Sequence, residues 1–471
     1  MEQSAVSVRP PSGVWDTFRE AVRGSTQDLT EAPIGRAVVL LAVPMVLEMM
    51  MESVFAVADV FFVGRLGADA IATVGITESL MTIIYAVAVG LSIGATATVA
   101  RRIGEGDPEG AAKAAGQSIV VGLVGAAIIG ALGAIFAPDL LRLMGASDGV
   151  ISSGARFTRV MLGGSGTVFM LFLINAIFRG AGDAAIAMRV LWFANAINIL
   201  LGPCLIFGVG PFPELGVAGA ATATTIGRGA GVLLQIYTLR SGSSRIVLKP
   251  SHLAFRRDVM AGIIRLSGVG MLQNFIGTAS WMGLIRILTG FGSAAVAGNT
   301  IAIRIVIFAL LPTYGVSNAA ATLVGQNLGA GKPERAEAAA WRAGFYNTVA
   351  LTIVGTAFLL FAGPLIHIFS SNPEVVAYGI RCLRIVAVGF LFYGYGMALT
   401  GAFNGAGDTR TPTLINLFCL WMLEIPLAWV LAYPLGFGPT GVFTSVSVAF
   451  SVLALVSAVI FKRGRWKLQR V

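Results

Sequence analysis

The stretch FRGAGD, Phe178 to Asp183, returns 225 residues later as FNGAGD, Phe403 to Asp408. Two more pairs share that shift. GADAIATVG (Gly67 to Gly75) lines up with GSAAVAGNT (Gly292 to Thr300), and IGEGDPEGA (Ile103 to Ala111) with LGAGKPERA (Leu328 to Ala336). Three matches at one offset point to an internal duplication. Each copy has room for six apolar spans. An even number makes both copies insert the same way, so the expected shape is two bundles around a pseudo-two-fold axis along the membrane normal, with a cavity between them.

The composition agrees with a membrane protein. The chain has 471 residues, of which 56% are hydrophobic and only 12% charged, against about a quarter charged in a soluble domain. Mean hydropathy is +0.83. Such a chain cannot cover a globular surface with polar groups, which excludes a soluble enzyme, a disordered chain and a nucleic-acid-binding module. The 59 glycines suit helices that pack closely in lipid. A bilayer-crossing helix needs about 20 apolar residues. Twelve segments qualify: 35–62, 70–99, 112–137, 153–178, 186–208, 216–239, 260–288, 295–324, 337–362, 377–402, 412–434 and 438–461. The fold class expected is an all-α polytopic membrane protein of twelve transmembrane helices in two pseudo-symmetric six-helix bundles.

Orientation follows from Lys and Arg. With twelve spans, both termini share one side. That side receives Arg9, Arg19, Arg23, Arg36, Arg101, Arg102, Lys113, Arg179 and Arg189. It also receives the run Arg240 to Arg257, then Lys332, Arg335, Arg342, Arg410 and the basic C-terminus. The other side has at most Arg65, Arg142, Arg156, Arg159, Arg381 and Arg384. Both termini are therefore expected in the cytoplasm, and the net charge of +10 is topological rather than a nucleic-acid footprint. The expected units are a tail (1–33), an N-terminal bundle (34–239), a basic linker (240–257), a C-terminal bundle (258–461) and a basic tail (462–471). Within the first tail, Val14 to Arg23 can form a short amphipathic helix on the membrane surface.

Most of the loop motifs have plain structural readings. In IGEGDPEGA the glycines end one helix, and Asp107 with Pro108 caps and opens the next. GAGKP at Gly329 to Pro333 lacks the spacing of a phosphate loop and has Pro where Ser or Thr is required. The two GAGD sequences lie at helix ends, where an Asp costs little, so a protease reading is remote. Cys204, Cys382 and Cys419 read as buried small hydrophobes. Neither His252 nor His367 has a second metal ligand at helical spacing, so no metal and no cofactor are expected.

The chemistry lies in acids within spans. An Asp at the centre of a membrane helix costs about 2.5–3.5 kcal/mol on insertion scales, so such acids face a cavity, find partners or act. The first span carries Glu48, Glu52 and Asp59. At 100° per residue, Glu52 lies about 40° and Asp59 about 20° from Glu48, so the three share one stripe. Asp59 reads as a proton or cation carrier, or alternatively as a structural acid paired with Arg65. Glu52 and Glu48 follow it. Glu78, near the start of the second span, and Glu424, before Pro426, are secondary candidates. Arg228, Arg265, Arg286 and Arg304 are expected to snorkel or to partner an acid, with an anionic substrate as the alternative. Asn198 and Thr224 could hydrogen-bond Asp59, or could join helices to each other.

The residues PMVLEMMMESVFAVADVFFVGRLGADAIATVG (Pro44 to Gly75) resemble the first helix and loop of the multidrug and toxic compound extrusion (MATE) family. So do both GAGD copies, PELGVAGAATAT (Pro213 to Thr224) and GQNLGAGKPERA (Gly325 to Ala336). The resemblance spans nearly the whole chain after the tail. It implies two six-helix bundles, alternating access, and export of organic cations in exchange for protons or sodium. It matches Asp59 to the family's coupling acid in the N-terminal bundle, Asn198 to the Asn beside it, and Thr224 to the Thr of the same cluster. Gly202 stands where proton-coupled archaeal-like members have an Asp. The NorM-type sodium site in the C-terminal bundle needs a Glu and an Asp. Here Ile276 or Gly277, and Tyr393, occupy those places.

The expected protein is therefore a DinF-like exchanger coupled through the N-terminal bundle, with Glu48 and Glu52 substituting for the missing Asp. It would be no enzyme, with H+ or Na+ as the coupling ion and small organic compounds as cargo. It would sit as a monomer in the inner membrane. The alternative is a flippase for lipid-linked precursors, kept open by Arg286 and Arg304.

Overall fold

The computed structural model describes residues 13–470, and Arg9 lies outside the described residues. A short helix α1 (Val14–Arg23) precedes the first long one, α2 (Ile34–Val63). The N-terminal bundle continues with α3 (Ala68–Gly104), α4 (Pro108–Ile135), α5 (Ala137–Leu143), α6 (Asp148–Gly163), α7 (Ser165–Ala181), α8 (Ala184–Phe207) and α9 (Val217–Ser241). The C-terminal bundle is α10 (Arg257–Leu288), α11 (Ser293–Gly329), α12 (Pro333–His367), α13 (Pro373–Gly405), α14 (Arg410–Asn416), α15 (Ile425–Ala432) and α16 (Pro439–Lys462). No strand occurs among the described residues.

Eleven helices are long and apolar enough to cross a membrane, with α6 and α7 forming one span across a break at Gly164. The twelfth expected segment, 216–239, is α9, which has the length but carries Thr222, Thr224, Thr225, Arg228 and Gln235, and is not among those eleven. The expected segment 412–434 is one span in three pieces. Between α14 and α15 the helix widens over Leu417–Glu424 into five-residue hydrogen-bonded turns. Pro426 supplies no N–H there, so the regular helical ladder cannot run through.

Sequence logic explains the turns. Asp107 accepts the Gly110 N–H at 2.8 Å and Pro108 opens α4. Both GAGD copies turn on a left-handed glycine, Gly182 at φ 91° and Gly407 at φ 85°, a conformation that side chains with a Cβ resist. Asp183 then accepts the backbone N–H of Arg245 at 2.7 Å. It lies outside the spans, and burial raises its carboxyl pKa above the usual range against the pull of Arg245.

Both tails, the linker and the loops after α3, α7 and α11 meet at one end of the molecule. Arg245 of the linker donates to the carbonyls of Ser25 (3.1 Å) and Gln27 (2.8 Å). Arg335 donates to the carbonyls of Leu29 and Ala32, and Lys332 pairs with Glu31. Arg101 reaches the carbonyl of Gln469. Gln117 of α4 holds the linker, donating to the carbonyls of His252 (2.9 Å) and Ala254 (2.8 Å).

The two bundles are pressed together at this tail end. A Cβ on Gly104 would lie 2.0 Å from the carbonyl oxygen of Gln326, and one on Gly329 2.2 Å from that of Arg101. Thr322 and Gln326 of α11 donate to the carbonyls of Arg179 (3.1 Å) and Gly180 (3.0 Å). Deeper in, Gly90 abuts Met271 and Gly315 abuts Met45. Glu78 of α3 and Arg304 of α11 are both exposed, and no ion pair joins them among the described residues. The structure is closed at the tail end.

Candidate functional site

The polar interior of the N-terminal bundle is built on α2. Its pattern puts Glu48, Glu52 and Asp59 on one stripe, and α7, α8 and α9 pack around that stripe. Glu48 is fully buried. It accepts from Arg179 Nη1 at 2.7 Å and Asn175 Nδ2 at 2.9 Å. Asn175 in turn accepts from Gln235 at 2.7 Å. One turn on, Glu52 accepts from Arg228 Nη2 at 2.8 Å and Asn195 Nδ2 at 3.2 Å. The Arg228 guanidinium lies 5.3 Å from the ring centroid of Phe55 and 5.5 Å from that of Phe172. A buried and a partly buried carboxylate are thus each paired with a buried arginine, as a low-dielectric interior favours.

Asp59 ends the stripe differently. It is half-buried, and no described side chain hydrogen-bonds or ion-pairs with it. Arg65, the expected structural partner, instead sits 4.5 Å over the ring of Phe61. Asn198 and Thr224 come together as expected of α8 and α9, but on each other: Asn198 Nδ2 donates to Thr224 Oγ1 at 2.8 Å, both buried. Neither hydrogen-bonds Asp59 among the described residues.

Several expectations change. Glu48 and Glu52, expected to stand in for a missing acid, are each held by an arginine, Arg179 and Arg228. Arg179, read as a surface charge of the tail end, is only 6% exposed and belongs to the interior through Glu48. Of the four in-span arginines, Arg228 partners an acid, whereas Arg265, Arg286 and Arg304 are exposed and do not converge on a pocket with it. Glu424 has no arginine; it is 2% exposed and accepts from Ser280 Oγ at 2.7 Å in the C-terminal bundle. Tyr393 stacks on Phe450 with centroids 4.3 Å apart. The supporting amides Asn175, Asn195 and Gln235 were not singled out by sequence reasoning. Their signal was available: each is a neutral polar residue inside a strongly apolar helix.

The family model that matches this chain is MatE, over residues 44–204 and again over 270–430. The chain belongs to the MatE family. The double match restates the duplication, since the family's unit fits each half. Among curated relatives, the probable multidrug resistance protein NorM of Thermotoga maritima is 28% identical over 447 residues, covering 93% of this chain and 94% of the relative. The FAD transporter of Shewanella oneidensis is 27% identical, covering 86% and 90%. A solved outward-facing multidrug resistance MATE transporter of the MOP superfamily superposes with a TM-score of 0.88 at 26% identity, covering 94% of this chain and 98% of that one. This chain is thus a MATE-family transporter, an all-helical multi-pass membrane protein.

Proposed function

We propose that this MATE-family protein is a secondary antiporter that exports amphipathic organic cations in exchange for protons, with Asp59 as the coupling acid. One observation carries the reading. Of the three acids on the α2 stripe, Glu48 and Glu52 are charge-compensated by Arg179 and Arg228, and Asp59 is not. A fixed arginine favours the charged form of the acid it holds, which makes that acid a poorer shuttle. An acid with no fixed partner, half-buried in an apolar bundle, gains from protonation when water is excluded and from ionisation when water enters. Alternating access supplies that change of surroundings.

On this reading the Lys- and Arg-rich tail end, where the two bundles press together, faces the cytoplasm, the membrane is the inner membrane, and a monomer is the working unit. The flippase reading has no observation in its favour, because the interior arginines are consumed by acids. The test uses energised inverted vesicles in sodium-free buffer, with a pH-sensitive dye in the lumen. Adding a cationic substrate should make the lumen less acidic, and Asp59→Asn should abolish the response. A response that requires sodium would overturn proton coupling.

A further inference from the structure

The C-terminal bundle contains a cavity of about 270 Å³. Its position is given by the repeat. Adding 225 to Glu48, Glu52, Asn175, Asn195 and Arg228 gives Gln273, Gly277, Thr400, Leu420 and Leu453, and all five line this cavity. The cavity is therefore the second copy of the place where the N-terminal bundle keeps its charged cluster. In that cluster the guanidinium of Arg228 sits between a carboxylate and two aromatic rings. In the second copy the arginine has become Leu453 and its partner acid Gly277, and removal of both side chains leaves the space.

What remains around the space selects for a cation. Glu424, carried inward at the end of the widened turns before Pro426, is 2% exposed, and its only described hydrogen-bonding partner is Ser280. No lysine or arginine lines the cavity. Gln273 is 7% exposed and its Oε1 has no hydrogen-bond partner. The rings of Trp281, Tyr314, Tyr393 and Phe450 complete the wall. A carboxylate and a carbonyl oxygen that both need donors, set among aromatic faces, match a cation that bears N–H groups.

We propose that this cavity is a binding site for a guanidinium- or ammonium-bearing organic cation, whose charged group takes the place that the Arg228 side chain fills in the other bundle. Physiologically this rests on the export reading, but binding itself is independent of it. Cargo would then be recognised by Glu424 in one bundle and the coupling proton carried by Asp59 in the other.

The experiment measures equilibrium binding of tritiated benzylguanidine to the purified full-length protein in lipid nanodiscs, without a gradient. Glu424→Gln should weaken binding at least tenfold, and Ser280→Ala severalfold. Leu453→Arg should abolish binding by placing a tethered guanidinium in the site. A thermal midpoint at or above the wild-type value in Leu453→Arg, reversed when Glu424→Gln is added, would show that the arginine pairs there. That measurement keeps the test alive if Glu424→Gln folds poorly. Wild-type affinity in Glu424→Gln, or unchanged affinity in Leu453→Arg, would overturn the site. So would stabilisation by sodium alone that depends on Glu424 while benzylguanidine does nothing. Glu424-dependent binding without any export of benzylguanidine in energised vesicles would support the site and count against the antiport reading instead.

Discussion

Arg228 on α9 donates to Glu52 on α2 at 2.8 Å, across 176 residues of chain, with the arginine side chain 1% and the glutamate 16% exposed. Under the proposed coupling, this contact sets Glu52 apart from Asp59. It spends the arginine on Glu52 and leaves Asp59, about two turns further along the helix, without a fixed counter-charge.

Removing the arginine alone should therefore be expensive. Arg228→Ala leaves the partly buried Glu52 uncompensated; breaking a fully buried pair costs about 3–5 kcal/mol, and this change should cost somewhat less. The expected result is a clear fall in the thermal midpoint in detergent. The double variant Arg228→Leu with Glu52→Gln removes both charges and should recover most of the loss. Equal destabilisation in the single and double variants would contradict the pairing.

Asp59→Asn should behave in the opposite way. No hydrogen bond or ion pair among the described residues is lost, so stability should change by no more than about 0.5 kcal/mol. Gradient-driven export, read as dye efflux from loaded proteoliposomes, should fall to background. Wild-type export by this variant would move the coupling role elsewhere.

The N-terminal tail spans both bundles at the closed end, and it should hold that end shut. Leu29, 2% exposed, packs near Gly182 of the N-terminal bundle, while Lys332, just before α12, donates to the carbonyl of Thr30 and Arg335 of α12 to those of Leu29 and Ala32. Leu29→Ala removes that packing, so spin labels on the α3 and α11 ends should report a larger population with the tail end apart. An unchanged distance distribution would show that the tail rides on one bundle only.

Gly104 should tolerate no side chain in the present state. A Cβ there would meet the Gln326 carbonyl oxygen at 2.0 Å, so Gly104→Val should wedge the tail end open and slow export. The same labels should show the shift without loss of folded protein. A Gly104→Val variant with wild-type distances and rate would mean that the two helix ends separate freely.

Topology has its own check. A C-terminal tag should react with impermeant reagents only after the cells are opened, while a cysteine near Gly436 should react from outside. A C-terminus labelled in intact cells would reverse the assigned orientation.

The helices and the duplication were legible in the sequence because they depend on short-range pattern. Runs of about 20 apolar residues must be helical in lipid, where no water can satisfy the backbone. The GAGD copies need a left-handed glycine wherever they occur. The α2 stripe was legible as well, since 100° per residue places Glu48, Glu52 and Asp59 on one face. The break at Gly164 and the widened turns before Glu424 were not anticipated, because each interrupts a run that reads as continuous.

The amino-acid order by itself determined that this chain crosses a membrane repeatedly, that it is built of two like halves, and which acids lie inside the apolar spans. It could not determine which of those acids are neutralised. Arg179 reads from sequence as a loop charge and Arg228 as one of four candidate arginines. Only packing brings the first to Glu48 across 131 residues and the second to Glu52 across 176. Likewise Leu453 and Gly277 are ordinary residues in sequence, and only the folded second bundle shows that they leave a space beside an acid. Helical periodicity is a property of neighbours in the chain, whereas charge compensation and cavities are properties of neighbours in space, which the long-range packing of helices decides.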